Sequence, residues 1–403
     1  MTELSDQQRA ALHAIEKWFE EDPSMPFFLA GAAGTGKTTL AKHLTSFGDV
    51  VYGAYTGKAA HVLRSKGVPA STIHSAIYRP VDNYEVRAEL IRKRDELAVC
   101  LLHRGDPVEN GWADALELGG AISELAEEIE ALEAALKRPA FELNPGCEWA
   151  HADLIVLDEV SMVNTTMARD IESFGVPVLV LGDIAQLPPI EGGGYYVRRT
   201  PDFELTEVHR QALDSPVYAL ATDIRKGVPW PRVKVSLEAA MEADQIIVWK
   251  NSTRWNLITK IREKLGRPAG VPVPGDRVMC LVNNKRDLGI FNGQQFGVLA
   301  VQGNTFELMD DDGQCRWFDF YPEGFYGLDG EKEMKDKRRA WRGGVGAFTF
   351  AQVITCHKAQ GSEWPSVYVV DQTAQMRSDQ RRWAYTAVTR ASESVTIAAT
   401  GVR

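Results

Sequence analysis

The chain has 403 residues, 44% of them hydrophobic and 25% charged, which is the composition of a globular protein rather than a disordered or fibrous one. Its formal net charge of -10 excludes a surface that is basic overall, so contacts with a polyanion would have to come from a local strip. The five cysteines form no CxxC pair, which argues against a zinc site or disulfide scaffold. The polar start without a signal peptide, and the lack of any apolar run of about 20 residues, predict a cytoplasmic protein without membrane spans.

The first predicted element is an amphipathic helix over residues 5–19, whose inner face is lined by Ala11, Ile15, Trp18 and Phe19. Gln8 lies on this helix, just ahead of a glycine-rich stretch. A glutamine amide can pair with adenine N6 and N7 through its donor and its acceptor together. Taken alone, the same residue would be an ordinary solvated glutamine.

The glycine-rich stretch GAAGTGKTT follows an apolar run over residues 26–30 and precedes a helix-compatible segment. A strand, a glycine turn and a helix form the context of a phosphate-binding loop, where backbone N–H groups and a helix N-terminus converge on one anion. We predict that Lys37 reaches the β- and γ-phosphates of ATP and that the Thr38 hydroxyl ligates Mg²⁺. The predicted phosphate-binding residues are Gly31, Ala32, Ala33, Gly34, Thr35, Gly36, Lys37, Thr38 and Thr39.

Two segments carry small, hydroxylic and cationic residues at predicted strand ends. One is residues 55–60, after a predicted strand over 50–54, and the other is residues 71–74. Such side chains can contact the phosphates of an extended nucleic acid. Either segment alone would be an unremarkable loop.

Residues 84–142 differ in composition, being acidic and rich in alanine and leucine. Apolar residues recur there at three- and four-residue steps, which predicts an antiparallel helical hairpin inserted into the first domain. The apolar seam consists of Ile122, Leu125, Ile129, Leu132 and Leu136. A solvated helix pair without a role is the alternative.

Two further apolar strands end in polar residues. The strand over 154–157 leads into Asp158, which could hold Mg²⁺, and Glu159, which could accept a proton from attacking water. The strand over 178–181 leads towards Gln186, which could sense the γ-phosphate. Alternation of strands and helices up to about residue 200 predicts a parallel sheet with helices on both faces.

A second α/β unit is predicted to begin near Phe203, with one strand over residues 246–249. Residues 272–345 contain short strands separated by turns, which predicts a small antiparallel barrel inserted into this unit. Its predicted strands cover 278–282, 295–301, 305–309 and 316–320, and residues 331–342 are predicted to form a charged loop or arm. Arg210 and Arg390 are predicted to lie opposite the phosphate loop, where a guanidinium would stabilise charge on the γ-phosphoryl group.

Gln8 and the segments GAAGTGKTT, YTGKAA, STIH, VLDEVSM, LGDIAQLPPI, LTEVHRQ, TCHKAQGSE and YTAVTRA resemble, in this order, the helicase motifs of superfamily 1. The resemblance is closest to its RecD-like and Dda-like branch. It implies an ATP-dependent DNA helicase that moves 5′ to 3′, with ATP in a cleft between two RecA-like lobes. By resemblance, Thr56, Lys58, His74, Thr355 and His357 fall on DNA-contacting motifs. Gln360, Gly361 and Glu363 fall on nucleotide or coupling contacts, and Gln186 matches the coupling glutamine.

The predicted fold class is therefore α/β, with two RecA-like parallel-sheet lobes. Lobe one is predicted to cover residues 1–83 and 143–200, with the helical insertion at 84–142. Lobe two is predicted to cover 201–271 and 346–403, with an SH3-like barrel at 272–345. Relatives carry a strand-separating pin in the region of the helical insertion, often a β-hairpin, whereas this sequence predicts helices there.

The expected partners are single-stranded and forked duplex DNA, with replication or recombination proteins as candidates, and the expected state is a monomer. One alternative is a single-strand translocase or protein-displacing motor without strong unwinding. An alternative from another class is a P-loop kinase of a small metabolite, which would not need the second lobe. Whether the track is DNA or RNA stays open at this point.

Overall fold

The computed structural model describes residues 4–80, 84–103, 112–136, 141–188, 194–207, 215–283, 288–340 and 344–399. They belong to two compact units, one formed by residues 1–76 and 148–403 and the other by residues 77–147. In chain order the elements are α1 (Asp6–Glu21), β1 (Phe27–Gly31), α2 (Lys37–Ala41), β2 (Val50–Ala54), α3 (Gly57–Ser65), β3 (Ala70–Thr72), α4 (Ile73–Ile77), β4 (Tyr78–Pro80), α5 (Tyr84–His103), α6 (Trp112–Leu136), β5 (Phe141–Leu143), β6 (Leu154–Asp158), α7 (Thr165–Glu172), β7 (Val178–Gly182), β8 (Phe203–Leu205), α8 (Pro216–Lys226), β9 (Val233–Lys234), α9 (Leu237–Glu242), β10 (Gln245–Val248), α10 (Asn251–Lys264), β11 (Arg277–Cys280), β12 (Gln295–Gln302), β13 (Thr305–Met309), β14 (Cys315–Asp319), α11 (Leu328–Ala340), β15 (Phe348–Phe350), β16 (Val353–Thr355), α12 (Cys356–Ala359), β17 (Trp364–Asp371), α13 (Gln380–Val388) and β18 (Ala391–Ala399).

Lobe one is built on a parallel sheet with the strand order β3-β2-β6-β7-β1-β8. Its central strands are runs of apolar residues buried on both faces, as expected for a parallel sheet covered by helices. The strands predicted at 26–30, 50–54, 154–157 and 178–181 are confirmed. Because all strands run the same way, the carboxyl ends of β1, β6 and β7 meet at one edge.

Strand β8 departs from the predicted division of the chain. Residues 203–205 were expected to open the second unit, but they pair in parallel with β1, with Leu29 opposite Phe203 and Gly31 opposite Leu205. The side chain of Leu205 is buried in the core of lobe one. The first sheet therefore extends beyond the predicted boundary at residue 200.

Lobe two is built on a second parallel sheet with the order β16-β10-β17-β18-β9. Helices α8 and α13 pack together on one side, around the fully buried Trp383. The predicted strand at 246–249 corresponds to β10, which lies between β16 and β17. The two predicted parallel-sheet lobes are thus both present.

An antiparallel sheet with the order β14-β13-β12-β11-β15 follows α10. Four of its strands coincide with the predicted ones to within a few residues. The fifth, β15, lies beyond the predicted boundary at residue 345. Aromatic side chains of this sheet, including Phe306, Phe348 and Phe350, share one core with β10 and α10 of lobe two.

The prediction of a charged loop or arm over residues 331–342 is wrong, because α11 extends from Leu328 to Ala340. Two inward residues of this highly charged helix explain its packing. Met334 is fully buried, and Glu331 forms an ion pair with the buried Arg254. Charge dominates the composition of this segment, but its few inward side chains decide its conformation.

The unit of residues 77–147 consists of α5 and α6 above the short antiparallel pair β4–β5. Ion pairs join the two helices, from Lys93 to Glu128 at 2.6 Å and from Arg94 to Glu133 at 2.7 Å. The predicted seam residues Ile122, Leu125, Ile129 and Leu132 are less exposed than most of their neighbours on α6. None of the helices in the described ranges has both the length and the apolar character needed to cross a membrane.

Candidate active site

The glycine-rich loop joins β1 to α2 and curls tightly. Gly34 and Gly36 both have φ of 80°, a left-handed conformation that glycine adopts without strain. Gly31 is tightly enclosed, since a Cβ there would lie 2.6 Å from the Thr35 hydroxyl. That hydroxyl donates to the Ala32 carbonyl at 2.9 Å, which closes the curve. The loop has the geometry needed to surround a phosphate with backbone N–H groups.

Lys37 is the first residue of α2 and points back into the loop. Its Nζ donates to the carbonyls of Gly31 at 2.7 Å and of Ala32 at 3.0 Å. A cation is thus held where the loop would enclose an anion. Phosphate oxygens are stronger acceptors than neutral carbonyls and would compete for this ammonium group.

Thr38 and Asp158 lie in contact, although 120 residues separate them. The Thr38 hydroxyl donates to Asp158 Oδ2 at 3.3 Å. This contact arises because α2 begins after β1 while β6 ends at the same edge of the sheet. A hydroxyl and a carboxylate are both oxygen donors of the kind that Mg²⁺ prefers, so these residues fit the predicted metal site.

Glu159 follows β6 in a left-handed conformation, with φ of 55°, which is uncommon for a residue other than glycine. Burial, and then the neighbouring Asp158 carboxylate, raise the pKa of Glu159 above its usual range. The charges of Arg390 and Lys37 act in the opposite direction. A partly buried carboxyl with a raised pKa, between a metal-ligand candidate and two cations, is suited to accepting a proton.

A contact that the sequence did not predict joins the lobes beside the loop. The Tyr385 hydroxyl of α13 donates to Asp183 Oδ2 at 2.6 Å and accepts from the backbone N–H of Ala33 at 3.5 Å. Asp183 is buried at the end of β7, and its other oxygen accepts from the Ala185 N–H at 2.9 Å. Burial and Asp183 raise the pKa of Tyr385, so the phenol stays protonated and able to donate.

Two glutamines lie close to this junction. Gln360 Nε2 donates to the Leu187 carbonyl at 2.9 Å, and the Leu187 N–H donates to the Thr386 hydroxyl at 2.8 Å. Gln186 is also buried. The side-chain Oε1 atoms of Gln186 and Gln360 are buried and have no hydrogen-bond partner within the described ranges. A buried acceptor without a hydrogen bond is energetically unfavourable, and a bound ligand can supply the missing donor.

Arg390 is buried where α13 meets β18. Its guanidinium donates to the carbonyls of Thr386 and Ser362, both at 3.1 Å, and to the Thr389 hydroxyl at 3.2 Å. These bonds hold the cation within lobe two, at a distance from which it still influences Glu159. The second predicted arginine, Arg210, lies outside the described residues.

Gln8 is buried against the phosphate loop. Its Oε1 accepts from the Ser5 N–H at 2.9 Å, the Gln8 N–H donates to the Ser5 hydroxyl at 3.2 Å, and its Nε2 contacts the Thr35 carbonyl at 3.4 Å. The first two bonds form a capping box at the start of α1. This residue therefore connects the helix start to the loop, and its pairing with adenine stays a prediction.

The predicted nucleic-acid contacts of lobe one lie at and near α3. Thr56 caps this helix by accepting from the Ala59 N–H at 3.1 Å. Burial lowers the pKa of Lys58, although Asp311 acts against the shift. Burial likewise lowers the pKa of His74 on α4, so this imidazole is neutral at physiological pH.

The corresponding residues of lobe two lie around α12. Thr355 is buried at its N-terminus, and burial lowers the pKa of His357, partly offset by a hydrogen bond to the Pro188 backbone. Gly361 has φ of 73°, and a Cβ there would lie 2.9 Å from the Thr56 hydroxyl of lobe one. The predicted segments of the two lobes thus meet directly. Glu363 is exposed at this point.

A cavity of about 300 Å³ borders the Tyr385 contact, and arginines supply its charged lining. Its walls are formed by Ile184, Ala185, Arg225, Arg381, Arg382 and Tyr385. A cavity of about 340 Å³ between α10 and residues 325–327 includes none of the predicted site residues. The volume of a cavity therefore does not by itself identify the predicted active site.

The structure brings together Lys37, Thr38, Asp158 and Glu159 at one sheet edge, and the charge of Arg390 is close enough to act on Glu159. Sequence reasoning missed Asp183 and Tyr385. Both lie inside motifs that were recognised, LGDIAQLPPI and YTAVTRA. Nothing in the sequence indicated that these two side chains would form a hydrogen bond across the lobes.

Residues 3–247 match the family described as AAA domain, and residues 350–398 match the family described as UvrD-like helicase C-terminal domain. An ATP-dependent RecD2 DNA helicase of Deinococcus radiodurans is 29% identical over 270 residues, which is 61% of this chain and 36% of that protein. The chain therefore spans about a third of the length of this curated relative.

Solved structures of Pif1 helicases share the fold. One, described as two coordinating Pif1 helicases at forked double-stranded DNA, has a TM-score of 0.54 at 20% identity, covering 98% of this chain and 92% of that one. Bacteroides Pif1 bound to single-stranded DNA has a TM-score of 0.54 at 18% identity, with the same coverage. The two-lobe helicase fold and the resemblance inferred from the motifs are confirmed.

Proposed function

The chain belongs to the AAA domain family, and from this premise we propose that it is an ATP-dependent DNA helicase that moves 5′ to 3′ along single-stranded DNA and unwinds duplex. The observation that carries the proposal is the contact between the lobes at the phosphate loop. Tyr385 of lobe two reaches both Ala33 and Asp183 of lobe one. A nucleotide bound in the loop would adjoin both lobes, which a motor needs if hydrolysis is to move one lobe relative to the other.

In this proposal lobe one holds the nucleotide and activates water. Lys37 and the loop amides would bind the phosphates, and Thr38 and Asp158 would hold Mg²⁺, which would neutralise phosphate charge. Glu159 orients the attacking water and accepts its proton. Gln8 contacts adenine.

Lobe two supplies the residues that complete the site. Arg390 stabilises charge on the γ-phosphoryl group, and Arg210 has the same proposed role. Gln360 acts together with Gln186 of lobe one, and with their unsatisfied buried Oε1 atoms the two side chains would detect the presence or loss of the γ-phosphate. Gly361 and Glu363 contribute to nucleotide contact or coupling.

The proposed DNA track crosses both lobes. Thr56, Lys58 and His74 would contact it from lobe one, and Thr355 and His357 from lobe two. Because the net charge is -10, we expect these contacts to be concentrated in the groove between the lobes, and binding should weaken as salt is raised. We assign a strand-separating or partner-docking role to residues 84–142, and we propose that the antiparallel sheet is an SH3-like barrel.

The test is ATP hydrolysis with and without single-stranded DNA, followed by unwinding of a forked duplex. We expect DNA to stimulate hydrolysis and the fork to be separated. Lys37→Ala should abolish turnover, and Glu159→Gln should retain ATP binding without turnover, because only the base is neutralised. Normal hydrolysis by Glu159→Gln would remove this residue from the catalytic role.

The same assays separate the alternatives. Stimulation of hydrolysis by DNA without fork separation would favour a single-strand translocase. If the rate of ATP hydrolysis is the same with and without DNA, the protein is neither a helicase nor a translocase. That result would favour the metabolite kinase. Comparing DNA with RNA of the same sequence would identify the track.

A further inference from the structure

Two turns of the antiparallel sheet cover α3 of lobe one. One is the turn at residues 288–294, between β11 and β12, and the other is the acidic turn at residues 310–314, between β13 and β14. We call them the aromatic turn and the acidic turn. The helix they cover begins with Gly57 and Lys58, within the segment proposed above to contact DNA.

The acidic turn engages two cationic or titratable side chains on α3. Lys58 Nζ lies 3.6 Å from Asp311 Oδ2, and His61 Nε2 lies 3.8 Å from Asp312 Oδ2. The Asp310 carboxylate does not face α3 in the same way, since its Oδ1 accepts from the N–H groups of Asp312 and Gln314 and so shapes the turn. Two carboxylates are thus presented to the helix where DNA would present phosphates.

The aromatic turn covers the first residue of the same helix. A Cβ at Gly57 would lie 2.5 Å from the Phe291 ring, so this ring rests directly on the backbone at the helix N-terminus. The Phe291 ring also stacks against the His61 ring, with 6.4 Å between centroids and 28° between the ring planes. The N-terminus of a helix is a natural contact for phosphate, and here an apolar ring occupies it.

The aromatic turn is fixed to lobe two. Lys358 Nζ, on α12 next to His357, donates to Asn292 Oδ1 at 2.7 Å. The Asn292 N–H in turn donates to Asn283 Oδ1 at 2.9 Å. The turn that covers α3 therefore moves with the helix that carries a predicted DNA contact of lobe two.

Lys58 is enclosed as a result. Its side chain is only 16% exposed, and its Nζ lies 5.3 Å from the centroid of the Trp364 ring of lobe two. A DNA phosphate cannot reach this ammonium group while Asp311 and Trp364 surround it. Asp311 itself is 72% exposed, so it can move into solvent at small cost.

Taking the proposed function as given, we infer that the acidic and aromatic turns are an autoinhibitory latch over the lobe-one DNA contact. In this arrangement Asp311 occupies the position of a DNA phosphate beside Lys58. Single-stranded DNA must displace both turns to bind, and the same displacement acts through Asn292 and Lys358 on α12. Binding of the track is thereby coupled to the position of the antiparallel sheet.

The experiment measures binding of a fluorescent oligothymidylate to the full chain by anisotropy, without nucleotide and at fixed low salt. Asp311→Asn should bind about two- to fivefold more tightly than wild type, the range expected for loss of a competing ion pair that is partly exposed. Phe291→Ala should also bind more tightly, although it changes no charge. The gain from Asp311→Asn should shrink at high salt, because screening weakens the competing pair.

Asp329→Asn is the matched control, since it removes the same charge from a side chain that is 98% exposed and pairs only with Lys332 among the described residues. If Asp329→Asn and Asp311→Asn increase the affinity for DNA equally, the change in net charge alone explains the effect. That result would overturn the latch. Weaker binding by Phe291→Ala would make the ring a DNA contact and would also overturn it. Thermal unfolding of each variant shows whether it is folded, and Phe291→Leu replaces Phe291→Ala if the latter is not.

The outcome also separates this inference from the proposed function. If wild type binds DNA and Asp311→Asn binds equally well, the latch is wrong while the DNA-motor proposal stands. If neither wild type nor the Asp311→Asn, Asp312→Asn double variant binds single-stranded DNA, both are wrong. Binding by the double variant alone would support the latch most directly.

Discussion

Removing the Tyr385 hydroxyl should uncouple the lobes with little effect on either lobe's fold. Tyr385→Phe deletes one oxygen atom and leaves the ring packed in the core of lobe two. It removes the 2.6 Å bond to the buried Asp183 carboxylate and the acceptor for the Ala33 N–H. Both lost contacts cross from lobe two to lobe one.

The size of the effect follows from the type of bond. A hydrogen bond to a carboxylate contributes about 1.5–3 kcal/mol net. If this bond exists only when the lobes are together, its loss reduces the closed population relative to the open one by about 10- to 150-fold. We expect kcat for DNA-stimulated ATP hydrolysis to fall by up to this factor, with a smaller change in ATP binding to lobe one.

The assay is steady-state hydrolysis at saturating single-stranded DNA over a range of ATP concentrations, together with ATP binding measured directly. Tyr326→Phe is the control, because this exposed phenol lies away from the predicted site. Asp183→Asn should have an intermediate effect, since an amide oxygen can still accept from the phenol without the charge. Unchanged kcat and unchanged ATP binding in Tyr385→Phe would refute the idea that this contact couples the lobes.

Three further predictions address other parts of the molecule. Arg390→Ala should lower single-turnover hydrolysis on the order of 10³-fold, as loss of an arginine finger does, while ATP affinity changes far less; equal turnover in the variant would contradict this role. Burial lowers the pKa of Lys358 to about 8 from an ordinary value of 10.5, so the folded state loses this proton at a lower pH than the unfolded state. The stability of wild type relative to Lys358→Met should therefore rise as pH increases from about 8 to 10, as apparent Tm would show, and a pH-independent difference would contradict the shift. Replacing residues 84–142 with a Gly/Ser linker should leave DNA-stimulated hydrolysis largely intact and impair separation of a forked duplex, and full unwinding would remove the separating role.

The sequence by itself determined the local elements of the phosphate site. A strand followed by glycines, Lys37 and Thr38 is recognisable because all its parts lie within about a dozen residues, and each has its own conformational preference. The buried strands before Asp158 and Asp183 were equally clear, since a short apolar run ending in carboxylates has few other interpretations. Parallel pairing then places these strand ends at one sheet edge, so the contact between Thr38 and Asp158 follows from the fold class.

Tertiary structure decided the boundaries. Residues 203–205 joined the first sheet because the free edge of β1 was available for pairing, and pairing partners far apart in sequence leave no local signal. The charged segment after residue 327 forms a helix because Met334 is buried and Glu331 pairs with the buried Arg254. Its composition alone indicated only a solvated arm.

Tertiary structure also decided which side chains meet between the lobes. Tyr385 and Asp183 are 202 positions apart, and Lys58 lies on helix α3 whereas Asp311 lies in the turn between β13 and β14. Periodicity and motif spacing describe a side chain's direction relative to its own element, over one or two turns or a few strand residues. How one element is positioned against another depends on the packing of whole cores, and that information is spread over the chain rather than carried by any one segment.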